Sequence, residues 1–387
     1  MKIASVEAVV VNASLRNWVF VKISTDEPGL TGWGEASLEW KTQAVVGAIR
    51  DLEPLLMGQD PRRIEHLWQT MYRAQFFKGG IVTMSAISGI DIALYDIKAK
   101  ALGVPVFELL GGRVRDRVHM YDHLGGGATT AVYDSATPDT FACLAQQSVD
   151  AGFDSLKVLP VPPVQMLDSR AHVTRARALM EAVRSATGID ANLMVDFHGR
   201  TTPAMAIRFA RALEEFEPWF IEEPCQPEDA SAMAEVARAV AIPIASGERL
   251  VTRWQFLELL SLRACAVIQP DVCHCGGLSE MRRIASLAEA HQIAIAPHNP
   301  LGPIATMANI HFDLATSNFL IQEVMRSDVA WRNEIVDDPL VIRGGYVEPP
   351  TKPGLGLSID ETAAADHPYQ PEPTVLLHDR DNAILDW

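Results

Sequence analysis

Three acidic residues stand at even intervals: Asp196 in MVDFHG, Glu222 in FIEEP and Glu248 in SGER, with 222 − 196 = 26 and 248 − 222 = 26. Each closes a short β-rich run ahead of a helical stretch, so the spacing sets three carboxylates side by side on consecutive strand–helix units. Carboxylates gathered in one pocket push one another's pKa upward unless a counter-charge sits among them. An all-oxygen set selects a hard divalent cation, Mg²⁺, one per subunit, whereas zinc would call for histidine or cysteine. Two histidines flank this set. His198 lies two residues beyond Asp196, a spacing that projects both side chains from one face of a strand. His298 closes a later run, IAPHNP, and Asp271 closes IQPD one unit earlier, which lets Asp271 accept a hydrogen bond from His298 and hold its tautomer. A base and an acid on opposite sides of a Lewis acid suit an elimination, and two opposed imidazoles also suit epimerisation.

These side chains need a scaffold that delivers strand ends to one mouth. From about residue 116 the sequence repeats a β-rich run, a polar loop and an amphipathic helix, the runs being VHMYDH, SLKVLP, NLMVDF, WFIEEP, IPIASGE, AVIQPD, IAIAPHN and FLIQEV. Eight such runs predict an α/β fold in which parallel strands close into a barrel, with the site at their carboxyl ends. Ahead of it, VEAVVV and WVFVKIS alternate as an antiparallel meander, and residues 40 to 110 take helical spacing, with Ala86, Ile90, Ala93 and Ile97 on one stripe. The glycine pair Gly111-Gly112 marks a junction. The expected domains are an α+β cap over 1–115, the barrel over 116–344, and a proline-rich segment, 345–387, that returns to the cap.

The formal charge, 33 − 49 = −16, repels nucleic acid, and an anionic substrate must therefore be captured by a local positive centre such as a metal. A hydrophobic fraction of 48% is ample for a large core and excludes a disordered chain. No run of about 18 apolar residues exists to span a membrane. The N-terminus shows no secretory pattern and the five cysteines form no paired framework, so reduced thiols and a cytoplasmic location are expected.

The MVDFHG, FIEEP, SGER, IQPD and APHNPLGP motifs, with GGRVRD at the junction, GWGEAS and MGQDPRRIEHLW near the start and TKPGLGL near the finish, resemble the enolase superfamily, specifically its mandelate racemase subgroup, essentially end to end. The likeness is greatest to the acid-sugar dehydratases that act on galactonate. It implies a (β/α)7β modified TIM barrel under an α+β N-terminal capping domain completed by the C-terminal segment. It also implies a homo-oligomer and Mg²⁺ held by Asp196, Glu222 and Glu248. Water would be eliminated from an aldonate such as galactonate, gluconate or mannonate to give a 2-keto-3-deoxy acid. His298, assisted by Asp271, would take the proton α to the carboxylate, and His198 would protonate the departing 3-hydroxyl. Glu323, protonated, would hold the enolate oxygen, and Lys157 would touch the substrate carboxylate. Racemases of the subgroup carry Lys-X-Lys where this sequence has Lys157-Val158-Leu159, and Leu159 cannot be a base. An acid-sugar epimerase using the two histidines is the alternative.

Trp18, Glu39, Lys41 and Phe77 lie in N-terminal segments placed to cap the mouth, with Trp18 and Glu39 as candidate substrate contacts. Cys273-His274-Cys275 lacks the second pair of a zinc site and reads as loop packing, and Gly125-Gly126-Gly127 lacks the lysine of a phosphate-binding loop.

Overall fold

A computed structural model describes residues 1–127 and 137–386. The alternating N-terminal runs form an antiparallel sheet in the order β1 (Ile3–Ala13), β2 (Arg16–Thr25), β3 (Thr31–Glu35). Four helices follow: α1 (Thr42–Leu56), α2 (Ile64–Arg73), α3 (Ile81–Leu102) and the short α4 (Val106–Leu109). The α3 stripe read from the sequence is wider than one face, because α3 is wedged between this sheet and the barrel and buried nearly all round. The wedge demands glycine at one crossing: a Cβ on Gly34 of β3 would lie 1.8 Å from the Gly89 carbonyl oxygen of α3, and one on Gly89 2.8 Å from Ala36 Cβ.

The barrel strands are β4 (Val118–His123), β5 (Ser155–Val158), β6 (Asn192–Asp196), β7 (Phe220–Glu222), β8 (Ile244–Ser246), β9 (Val267–Ile268), β10 (Ala294–Ile295) and β11 (Gln322–Val324), paired in parallel in sequence order. The ring closes because β11 pairs with β4, Glu323 opposite Tyr121, while Ile295 of β10 bonds to Asn318 and Leu320 on the approach to β11. Between the strands run α5 (Pro138–Asp150), α6 (Arg170–Thr187), α7 (Pro203–Leu213), α8 (Ala230–Ala239), α9 (Thr252–Ser261), α10 (Gly277–Ala290) and α11 (Pro303–Leu314), which makes the described residues a (β/α)7β barrel. Several starts follow ordinary capping chemistry: Thr137 and Thr202 accept from backbone N–H groups of the first turn, and proline opens α5, α7 and α11. Tyr121, Met194, Phe220, Ala245, Val267, Ala296 and Ile321 fill the barrel interior.

After β11 the chain adds β12 (Tyr346–Val347) antiparallel to β4, then crosses to the cap, where Leu355 N–H donates to Asp96 and Asn12 N–H to the His367 carbonyl. A helical turn, α12 (Glu361–Ala365), and a small hairpin, β13 (Leu377–His378) with β14 (Ile384–Leu385), finish it. All five cysteines are free thiols, and no helix among the described residues is long and apolar enough to cross a membrane.

Candidate metal centre and active site

Asp196 and Glu222 end β6 and β7 and face each other in register, while Glu248 lies two residues past β8, beyond Gly247, whose φ of 139° turns the backbone over the barrel rim. One oxygen from each carboxylate comes within 4.8 Å of the others. Asp196 Oδ2, Glu222 Oε2 and Glu248 Oε2 are all buried with no hydrogen-bond partner. Orphaned buried carboxylate oxygens are costly, and three carboxylates clustered this closely, an all-oxygen set, fit a hard divalent cation. Burial, and then the neighbouring negative charge of Asp196, raises Glu222 well above the ordinary carboxylate range and also raises Glu248, the strain that a cation would relieve.

His298 and Asp271 meet as the neighbouring strands require, with Nδ1 2.8 Å from Asp271 Oδ2. Asp271 Oδ1 accepts from the Cys273 N–H at 2.7 Å, so the carboxylate is fixed at both ends and His298 keeps its proton on Nδ1. The other ring nitrogen points inward, 3.7 Å from Glu248 Oε2. Burial alone would depress His298, but Glu248, Glu323 and Asp271 outweigh it and lift it to about 10. A cation held beside Glu248 would offset part of that pull and lower the affinity of His298 for its second proton.

His198 reaches the same centre by a different route from the one its spacing suggests. The strand stops at Asp196, and His198 has a left-handed backbone, φ 53°, so it sits on the rim turn and not on the strand face. Its N–H caps Asp196 Oδ1 at 2.8 Å, and the turn swings Nε2 to 3.4 Å from Asp196 Oδ2. Burial, against the attraction of Asp196 and with the repulsion of Arg200 and Lys157, brings His198 down to about 3.

Lys157, on β5, is 1% exposed, and its Nζ lies 2.7 Å from Glu222, 2.6 Å from Glu323 and 3.4 Å from Asp196. Glu323, for which the resemblance implies a protonated donor, is surrounded in this structure by Lys157, His123 and the Asn299 N–H. Burial raises its pKa, but Lys157, His298 and His123 overcome that and hold the carboxyl well below the ordinary range. It accepts from Lys157, from His123 Nε2 at 2.5 Å and from the Asn299 N–H at 2.7 Å. His123 and Asn299 escaped the sequence reading, although His123 closes the first barrel run and the strand-end rule that selected Asp196 also selects it.

The cavity above these groups holds about 670 Å³. Glu39 and Lys41 line it from the cap, Glu39 tied to Arg16 at 2.9 Å. Trp18 does not: it lies on β2 with 0% exposure, packed in the core with the Arg332 guanidinium 5.0 Å over its ring, because β2 is the central strand and is covered on both faces. Phe77 is 87% exposed and does not line the cavity. His274, expected to be packing, does reach the cavity wall, donating Nε2–H to the Ser37 carbonyl at 2.9 Å and so joining barrel to cap. Gly126 and Gly127 serve close packing, since Cβ atoms there would lie 2.1 Å from Ser327 Oγ and 2.6 Å from Met325 Cγ.

Residues 3–111 match the mandelate racemase / muconate lactonizing enzyme N-terminal domain and residues 140–363 the enolase C-terminal domain-like model. A D-galactonate dehydratase of Verminephrobacter eiseniae is 45% identical over 350 residues, 89% of each chain, and one of Variovorax paradoxus is 40% identical over 379 residues, 96% of each. A crystal structure of an enolase from Agrobacterium radiobacter, with sodium and L-malate bound, superposes with a TM-score of 0.88 at 33% identity, covering 100% of both chains.

Proposed function

Because the chain belongs to the mandelate racemase / muconate lactonizing enzyme family of the enolase superfamily, we propose that it is a hydro-lyase that dehydrates an acid sugar, D-galactonate or a close relative, to a 2-keto-3-deoxy acid. The observation that carries this reading is the pair of imidazoles, His298 and His198, in one cavity with Asp196 and Glu248, whose carboxylates cluster with that of Glu222 and leave an orphaned oxygen each. Asp196, Glu222 and Glu248 would hold one Mg²⁺. Bound there, the ion would supply the positive charge that makes the C2 proton of a 2-hydroxy acid removable at neutral pH.

His298 Nε2 takes that proton while Asp271 holds Nδ1–H and balances the imidazolium. The C–H electrons move toward the substrate carboxylate, where the Lys157 ammonium, already the donor to Glu323, stabilises the added charge. His198 delivers a proton to the 3-hydroxyl, which leaves as water as the C2–C3 double bond forms. For that step His198 must carry a second proton, and the arriving carboxylate raises its affinity for one. The enol then tautomerises to the keto acid. Glu323 serves as the fixed anion that orients Lys157, His123 and Asn299. Leu159, in place of a second lysine, removes a base from this face and disfavours racemisation through β5.

We also propose a cytoplasmic homo-oligomer whose 1–115 and 345–387 segments cap the 116–344 barrel. The free thiols support the compartment, and Phe76 and Phe77, 91% and 87% exposed, support a surface that another subunit covers. The function is tested by incubating the protein with Mg²⁺ and a panel of aldonates in deuterated water. Formation of a 2-keto-3-deoxy acid, abolished in His298→Asn, is the expected outcome. Deuterium-labelled epimer with no keto acid would establish the epimerase instead.

A further inference from the structure

The family match ends at residue 363, yet Thr374 and Val375 line the same cavity as Lys157, His198 and His298. The strap that carries them is fastened on both sides of the mouth. On the cap side, Asn17 exchanges two hydrogen bonds with the Gln370 backbone at 2.9 and 3.2 Å, Thr42 Oγ donates to Glu372 at 3.0 Å, and Trp40 Nε1 donates to the Pro373 carbonyl at 2.9 Å. On the barrel side, Gln165 in the loop after β5 donates to Asp379 of the terminal hairpin. Residues 374–376 cross between these anchors, with Val375 and Leu376 37% and 58% exposed. Thr374 and Val375 are exposed while Asp196, lining the same cavity, is 1% exposed, so the strap stands at the solvent end, where a hydroxyl beside a valine matches the far end of a polyhydroxy acid, with its terminal carbinol and C–H edges.

Building on the proposed dehydration, we infer that the C-terminal strap is the wall that measures substrate length, with the Thr374 hydroxyl bonding the terminal hydroxyl of a six-carbon acid sugar. A substrate one carbon shorter leaves that hydroxyl unfilled, and the cost falls on kcat/KM because binding energy from a remote group is used to position the reacting carbons.

The test compares kcat/KM for a six-carbon and a five-carbon aldonate in the wild type, Thr374→Val, Trp40→Phe and a chain ending at Gln370, with binding of each acid sugar in Mg²⁺ followed in parallel by calorimetry. Thr374→Val keeps the shape and removes one hydrogen bond, so the six-over-five preference falls about tenfold. Trp40→Phe unfastens one anchor and lowers the same preference by a smaller factor, and the shortened chain loses it. A general loss of stability would lower both substrates together and leave the ratio unmoved. An unchanged ratio in a folded Thr374→Val enzyme overturns the inference while the dehydratase reading stands. A wild type that neither binds nor dehydrates any acid sugar overturns both.

Discussion

Replacing Asp271 with asparagine turns one carboxylate oxygen into an NH2 group and forces a choice between two partners. Oδ1 of Asp271 faces the Cys273 N–H at 2.7 Å and Oδ2 faces His298 Nδ1 at 2.8 Å, so both carboxylate oxygens are acceptors. The amide has one acceptor. If its oxygen stays on the backbone N–H, its NH2 meets His298 Nδ1 and moves the ring proton to Nε2, the atom that must be bare. If it flips, a buried N–H loses its partner at a cost of about 1–3 kcal/mol. In either arrangement a charge-assisted bond worth about 1.5–3 kcal/mol becomes an ordinary one or disappears. The two terms together, about 2.5–6 kcal/mol, lower kcat by roughly 10²- to 10⁴-fold. The assay is the initial rate of keto-acid formation at saturating Mg²⁺ and substrate, with the Mg²⁺-induced shift in melting temperature as a control, since Asp271 is not among the three ligands. Asp271→Asn turning over within tenfold of wild type, with its metal response intact, would refute the assignment of His298 as the base.

Magnesium should raise the unfolding free energy by about 2.7 kcal/mol at 100 times its Kd, and Asp196→Asn or Glu222→Gln should abolish the shift in a thermal melt; equal shifts in those variants would remove the three carboxylates as ligands. His311 of α11, fully buried, accepts from the Phe107 N–H on Nδ1 and donates from Nε2 to the Leu355 carbonyl, an arrangement open only to the neutral ring. Burial lowers it from 6.5 to about 4. Its contribution is therefore complete above about pH 6.5 and drains away toward pH 4 as the unfolded chain takes up a proton that the folded one refuses, by roughly 3 kcal/mol at the limit. His311→Gln should flatten that acid limb relative to wild type in denaturant titrations at pH 4.5 and 7.5; parallel limbs would contradict it. Trp18→Phe should cost about 2 kcal/mol through the void beside Arg332 and leave KM unchanged, and a raised KM with unchanged stability would return Trp18 to the site.

The barrel and its cluster of three carboxylates were legible because strand-end acids recur once per β/α unit, a period that survives in one dimension. What failed to show in the sequence was pairing across closure. His123 and Glu323 lie 200 residues apart and meet only when β11 docks on β4, so neither announces the other. The groups that surround Glu323 are hidden for the same reason, since Lys157 comes from a third strand. Trp18 was misplaced because an alternating run does not say how many faces its sheet will cover. His198 was found through its spacing although its backbone leaves the strand, the rim turn bringing the ring back toward Asp196. The strap's part in the cavity has no periodic signature at all.

Closure of the ring by its last strand also bears on synthesis. Asp196 and Glu222 leave the ribosome early, but the carboxylate that shares Lys157 with them, and the segment that pairs with Ile295, are translated only at residues 318–324. Until then the nascent barrel is an open sheet with unpaired edges at β4 and β10, a surface for holdase chaperones and for proteases. A fragment ending before residue 322 therefore lacks the strand that closes the ring on β4.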